Sequence, residues 1–172
     1  GLGISLAFRS GTFNLGGEGQ VYLGALAGYL VCAFLPSTAG SGGALLALTA
    51  AGGGGLVLAA FSGFARMRWG TDELISSFLL SAAAIPLVDF LITGPLKDSN
   101  SYLITTQRIA EGFFLPRLLE PSNLSLELPI GILLAAAATF LLFRTRPGYE
   151  LRITGLNRDF ARYGGVATGL YT

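Results

Sequence analysis

A run without a single charged side chain extends from Ala44 to Ala65. At about 20 residues per crossing, a helix over this run is long enough to span a bilayer. The consecutive glycines Gly52 to Gly55 lie in its middle, and they would break an isolated helix in water. In lipid the backbone must form its own hydrogen bonds, so a glycine-rich helix persists where neighbouring helices pack closely. The run therefore predicts a transmembrane helix.

The overall composition points in the same direction. Hydrophobic residues make up 52% of the chain and charged residues 12%, which is about half the charged share of a soluble domain. The net charge of +1 offers no electrostatic basis for binding nucleic acid. Histidine is absent and cysteine occurs once, at Cys32, which removes the commonest general base and any thiol cluster for a metal. We therefore expect no enzyme activity, no catalytic residue and no bound metal or cofactor.

Apolar segments predict about four complete transmembrane helices, over residues 21–35, 44–65, 74–92 and 128–143. Gly24 and Gly28 in the first helix have the GxxxG spacing of a close-packing face. Because the chain also begins and ends in apolar stretches, we expect a partial helix at each end and regard it as the middle of a longer protein. The predicted fold is an all-α polytopic membrane protein.

The ends of these helices carry recognisable signals. Thr71 or Asp72 is placed to cap the helix over residues 74–92, Pro86 is placed to bend it, and Pro129 suits the first turn of the last helix. Asp72 and Glu73 together suit the positive end of the helix dipole. They are interpreted as a helix cap or as part of a gate.

Residues 1–20 predict a helix that is broken and followed by a turn. The candidate path residues Asn14, Gly16, Gly17, Glu18 and Gln20 lie in this glycine-rich stretch. Non-helical backbone at membrane depth is tolerated where it lines a cavity. Glu18 would contact substrate, stabilise the start of the next helix or pair with a cation such as Arg9. A simple packing turn is the alternative.

The distribution of basic residues predicts the orientation of the chain. With four crossings, eight of the 11 basic residues share one side, which is predicted to be cytoplasmic, and three share the other. Residues 144–163 then face the cytoplasm as a coupling region. Residues 94–127 form an external connector, whose part Ile109 to Leu119 is apolar enough for a short interfacial helix.

The coupling region predicts a short amphipathic helix from Asn157 to Tyr163, with Asn157 as its N-cap. Leu156, Phe160 and Tyr163 recur at roughly helical spacing and form one apolar stripe. A short amphipathic helix outside the bilayer needs a groove in which to bury such a stripe. A positive-inside loop without a partner is the alternative interpretation.

Four separated segments resemble one family of bacterial membrane proteins. FRSGTFNLGGEGQ at Phe8–Gln20 is similar to the signature of ABC importer permeases of the branched-chain/ribose superfamily, and DELISS at Asp72–Ser77 resembles a second motif of that family. TGPLKD at Thr93–Asp98 resembles a third, and the region from Thr145 to Val166 a fourth, with Phe160 at a position where the family has a small residue. The closest branch is the nucleoside, simple-sugar and riboflavin permeases associated with basic-membrane-protein lipoproteins.

This resemblance implies a type II-like ABC importer transmembrane domain in the bacterial cytoplasmic (inner) membrane. It implies a second permease subunit, cytoplasmic ATPase subunits that carry ATP and Mg, and a substrate-binding lipoprotein or periplasmic protein as partners. The substrate would be a nucleoside, simple sugar or riboflavin. The positions that match the ATPase-coupling motif are Arg152, Gly155, Leu156, Asn157, Phe160, Ala161, Arg162 and Tyr163.

Two other classes of protein are weighed against this interpretation. An ATP-independent secondary transporter normally shows ion-coupling carboxylates within its helices, whereas residues 21–35, 44–65 and 128–143 contain none. A structural membrane subunit would have no substrate path and would need no coupling helix.

Overall fold

The computed structural model describes residues 2–119, 122 and 124–170. The remaining positions belong to the predicted terminal segments and the external connector and lie outside this description. The regular structure of the described residues is helical, with short 3-10 turns at Ser37–Ala39, Glu111–Phe113 and Thr168–Leu170. The α helices are α1 Leu2–Arg9, α2 Gly17–Phe34, α3 Gly40–Trp69, α4 Glu73–Thr93, α5 Glu127–Arg144, α6 Arg146–Leu156 and α7 Arg158–Tyr163.

Among the described residues, three helical segments are long and apolar enough to cross a membrane. They are Ser37–Trp69, which includes the 3-10 turn before α3, then α4 and α5. Helix α2 has 18 residues, and the polar side chains of Glu18 and Gln20 in its first turn lower its hydropathy. Large apolar side chains such as Phe61 and Phe90 are exposed, as expected where lipid or further helices cover them. The chain is an all-α multi-pass membrane protein.

Helices α2 to α5 start before the predicted segments, and α3 to α5 also extend beyond them. Helix α3 begins at Gly40 and continues through Arg66 and Arg68 to Trp69. Basic residues interact favourably with the negative end of the helix dipole, so they continue the helix instead of ending it. Gly70 then ends α3 in a left-handed conformation, with a φ of 65°.

The described residues fall into two compact units. We call Leu15–Leu115 the central unit. We call the unit formed by Gly1–Asn14 and Pro116–Thr172 the terminal unit.

Helices α2 and α3 of the central unit pack backbone against backbone. A Cβ atom added to Gly24 would lie 2.8 Å from the carbonyl oxygen of Ala51, and one on Gly54 would lie 2.8 Å from the carbonyl oxygen of Leu23. Added at Gly52 or Gly53, a Cβ atom would meet no described atom within 4 Å. Only part of the glycine run therefore serves this contact.

The connector after α4 differs from the predicted interfacial helix over Ile109 to Leu119. Only Glu111–Phe113 forms a single 3-10 turn. Gly112 lies so close to the carbonyl oxygen of Ser37 that a Cβ atom has no room, and Phe113 is buried against Gly43. The prediction of a helix here is wrong, because the apolar side chain that suggested a lipid-facing surface packs onto the start of α3.

The terminal unit contains a helix that was not predicted from the sequence. Helix α6 follows α5 after one residue, Thr145. The Thr145 hydroxyl donates to the carbonyl oxygen of Leu141 at 2.5 Å and accepts from the N–H of Gly148 at 3.3 Å. Gly148 is buried against Leu141 and Leu142, with no room for a Cβ atom. The chain therefore turns sharply at the end of α5.

The packing of α2 on α3 predicts unequal effects for glycine substitutions that are chemically identical. Gly24→Ala forces a methyl group against the Ala51 carbonyl oxygen, and we expect it to destabilise the protein by about 1–3 kcal/mol. Gly53→Ala is the matched control, because it adds the same methyl group to open space in a neighbouring helix. Thermal unfolding of the purified protein in detergent measures both. Equal melting temperatures for the two variants would contradict the packing described here.

Candidate functional site

A short helix lies where the sequence predicts one, as α7, Arg158–Tyr163. The side chain of Asn157 accepts a hydrogen bond from the N–H of Phe160 at 3.0 Å, so the predicted N-cap is confirmed. Such a cap contributes about 1 kcal/mol to a helix terminus.

The apolar stripe beside this cap lies on the surface of the terminal unit. Leu156 is 86% exposed, Phe160 66% and Tyr163 94%. Tyr163 also lines a recess of about 430 Å³ together with Asp159 and Arg162. Three large apolar side chains beside a charged recess form a surface that suits burial in a partner's groove.

The opposite side of the same segment is fixed by packing. The side chain of Ala161 is fully buried. Gly155 lies against the carbonyl oxygen of Arg9 and against Ser10, with no room for a Cβ atom. Of the predicted coupling residues, Gly155, Asn157 and Ala161 therefore position the segment.

Arg152 is held within the terminal unit by an aromatic ring. Its guanidinium carbon lies 5.0 Å from the centroid of Phe143, and that of Arg9 lies 5.8 Å from the same centroid. Both distances fall within the range of cation–π contacts. Arg152 thus anchors α6 to α5, while Arg162 lies at the surface next to the stripe.

A non-helical segment separates α1 from α2, and two hydroxyl groups form hydrogen bonds to the backbone at the end of α1. The hydroxyls of Ser10 and Thr12 both donate to the carbonyl oxygen of Ala7, at 2.7 and 3.0 Å. Both side chains are buried. Gly11 between them has a φ of 77°, a conformation that glycine adopts without steric cost.

The start of α2 is capped by serines from another helix. The N–H of Leu15 donates to the hydroxyl of Ser77 at 3.0 Å, and the N–H of Gly19 donates to that of Ser81 at 2.8 Å. Ser77 and Ser81 are buried one turn apart on α4. A Cβ atom on Gly19 would lie 2.6 Å from the Cα of Ser81, so glycine is required there.

This capping changes the interpretation of the predicted path residues. Asn14 and Gly16 precede α2, as predicted, whereas Gly17, Glu18 and Gln20 belong to its first turn. The helix starts earlier than predicted because Ser77 and Ser81 satisfy backbone N–H groups that would otherwise be left open. Glu18 is exposed, near the positive end of the helix dipole.

The turn from α3 to α4 contains the predicted cap. Asp72 accepts a hydrogen bond from the N–H of Leu74 at 2.9 Å, which makes it the N-cap of α4. Glu73 forms an ion pair with Arg66 across the turn, at 2.7 Å. The pair is partly buried, with side-chain exposures of 31% for Arg66 and 14% for Glu73, and it ties the end of α3 to the start of α4.

The serine cap predicts a local effect on hydrogen exchange. Ser81→Ala leaves the N–H of Gly19 without its acceptor, and a buried unsatisfied donor costs about 1–3 kcal/mol. We expect faster amide exchange at the start of α2, measured by mass spectrometry on the purified protein. Ser76→Ala is the control, because its hydroxyl donates to the carbonyl oxygen of Glu73 within its own helix, α4. Unchanged exchange in Ser81→Ala would refute the cap.

Comparisons with known proteins cover the whole chain. Residues 1–172 match the sequence model of a family described as "Branched-chain amino acid transport system / permease component". The chain is 35% identical over 167 residues to a probable riboflavin import permease protein of Treponema pallidum, covering 95% of this chain and 44% of the relative.

Two further relatives are transporter permeases from other organisms. The chain is 34% identical to a glucose ABC transporter permease protein of Haloferax volcanii, covering 97% of this chain and 46% of that protein. It is 29% identical to a guanosine ABC transporter permease protein of Bacillus subtilis, covering 97% and 48%. The chain therefore spans about half the length of these relatives. No solved structure matches the chain.

Proposed function

Because this chain belongs to the family of permease components of branched-chain amino acid transport systems, we propose that it forms part of the transmembrane subunit of an ATP-driven importer. The observation that carries this proposal is the exposed stripe of Leu156, Phe160 and Tyr163 on an otherwise anchored segment. Movement of a partner bound to this stripe would be passed on to the rest of the terminal unit, because the segment that carries the stripe is tightly packed.

The stripe is proposed to dock into a groove on a cytoplasmic ATPase subunit. In a short amphipathic helix, a few large apolar anchors supply most of the binding energy. ATP and Mg would bind to the ATPases and not to this chain, which carries out no chemistry. Closure of the ATPase pair would press on α7, and Arg152, Gly155 and Ala161 would carry that movement into α5 and α1. Such a two-state element, biased by nucleotide, is a common form of gating.

The remaining parts of the proposal concern the assembly and its cargo. A second permease subunit would complete the path, and a substrate-binding lipoprotein or periplasmic protein would deliver the ligand from outside. The names of the relatives support riboflavin, a nucleoside or a sugar as the small-molecule substrate. The proposed location is the bacterial cytoplasmic membrane, with residues 144–163 inside and 94–127 outside.

The docking surface is tested by replacing its central aromatic ring. We expect Phe160→Ser to weaken copurification of the ATPase about 30-fold, since loss of an interface anchor costs about 2 kcal/mol or more. ATP-dependent uptake into proteoliposomes should fall accordingly, while insertion of the permease into the membrane is unchanged.

Arg158→Ala is the matched control for this test. It truncates an exposed side chain of the same helix on the side away from Phe160, and it leaves the apolar stripe intact. Normal uptake in Phe160→Ser would rule out ATPase docking through this stripe. ATP-independent uptake by the unaltered protein would instead favour a secondary transporter.

The proposed orientation predicts which side of the membrane each connector faces. Single cysteines in place of the exposed Ser99 and Arg158, introduced into a Cys32→Ser background, lie on the two sides of α5. We expect an impermeant maleimide to label the first from outside intact cells and the second only after lysis. Labelling of both from the same side would show that α5 does not cross the membrane.

A further inference from the structure

Two cavities adjoin along α2 in the central unit, and Tyr29 lines both. The first, which we call the slot, measures about 310 Å³. Its walls are apolar apart from two tyrosines and one threonine, and they include Val21, Tyr22, Tyr29, Val88, Ile92 and Thr106. The second, which we call the mouth, measures about 170 Å³ and is lined by residues that include Cys32, Ser37, Gln107, Arg108 and Phe113.

The slot suits the flat face of an aromatic ring. Tyr22 and Tyr29 are two turns apart on α2 and therefore lie on nearly the same face of the helix, about 10 Å apart along its axis. Val88 on the facing helix is 2% exposed, so this part of the wall is rigidly packed. The volume is at the lower end of the ~300–1,000 Å³ range of ligand pockets, which favours a compact, planar group.

The same walls disfavour a free sugar. A hexose has hydroxyls around its whole ring, and each hydroxyl that loses water needs a hydrogen-bond partner in the protein. The polar atoms of the slot are few and lie at its tyrosine and threonine side chains. A heteroaromatic ring has apolar faces that stack on tyrosine and polar atoms only at its edge.

The mouth, in contrast to the slot, contains polar side chains that can form hydrogen bonds with a ligand. Gln107 presents an amide and Arg108 a guanidinium, which together supply several donors and one acceptor. Both side chains are exposed, and within the described ranges neither forms a hydrogen bond or an ion pair. Hydroxyl or carbonyl groups of a ligand would therefore find partners at this end.

We propose that the slot and the mouth together form a substrate site for a planar heterocycle that carries a hydroxylated substituent. The ring stacks on Tyr22 and Tyr29, and the substituent meets Gln107 and Arg108. This inference rests on the proposed import function and narrows its cargo to nucleoside-like or flavin-like compounds, to the exclusion of free hexoses.

Binding is measured without ATP on the complete permease assembled with its ATPases in nanodiscs. Riboflavin is the direct probe, because stacking on tyrosine quenches its fluorescence, and guanosine and glucose are added as competitors. We expect Tyr22→Ala and Tyr29→Ala each to weaken binding about tenfold, as for the loss of one aromatic stacking partner. Tyr22→Phe should retain most of the affinity. Tyr102→Ala is the control, because Tyr102 is fully exposed on the connector and lines neither cavity.

A second measurement needs no substitution in the site itself. Cys32 lines the mouth, so a small methanethiosulfonate reagent reports whether the mouth is filled, with Cys32→Ser as the blank. We expect guanosine or riboflavin to slow the modification at least fivefold and glucose to have no effect. Equal protection by glucose, or no protection by any of the three, would overturn the proposed ligand class.

The two proposals fail in distinguishable ways. If Tyr22→Ala and Tyr29→Ala still show ATP-dependent uptake with an unchanged KM, the import function is supported and the proposed binding site is refuted. If riboflavin or guanosine binds in a tyrosine-dependent way but no ATP-dependent uptake occurs, the binding site is supported and the import function is refuted.

Discussion

In the hydrocarbon layer of a bilayer, every backbone N–H and C=O group must find its hydrogen-bond partner inside the protein. Where the chain leaves a helix, as between α1 and α2, backbone groups lose their helical partners and side chains have to replace them. Ser10 and Thr12 close the end of α1, and Ser77 and Ser81 of α4 receive the N–H groups of Leu15 and Gly19. The backbone groups on each side of the break therefore form hydrogen bonds with a specific pair of hydroxyls.

The glycines meet a second requirement of the lipid environment, which is close packing between helices. Glycine brings one backbone close to another at Gly24 and Gly54 in the central unit and at Gly148 and Gly155 in the terminal unit. Helix association in lipid depends on such close packing, because apolar burial alone offers little gain there. Packing of this kind resists gradual deformation, so it suits helices that move as rigid bodies when a partner pushes on them.

The two proposed surfaces differ in chemistry, and each has the properties that its proposed partner requires. The stripe of Leu156, Phe160 and Tyr163 is exposed and apolar beside a charged recess, as a protein-docking surface requires. The slot and the mouth combine aromatic faces with a polar entrance, as a small ligand requires. The ring of Phe160 is 66% exposed, so it is available to a partner and is not part of the packed interior.

Local sequence patterns were sufficient for the three long apolar helices α3 to α5, the cap at Asn157, the cap at Asp72 and the stripe on α7. Each of these features depends on neighbours within about two helical turns. The sequence alone did not show the role of Ser77 and Ser81, which contact residues 62 positions away. It also did not show which glycines of the run Gly52 to Gly55 touch α2, or that Phe113 packs onto α3 instead of facing lipid. These features depend on which helix faces come together. Only the tertiary structure decides that, because contacts between distant residues leave no periodic trace in the chain.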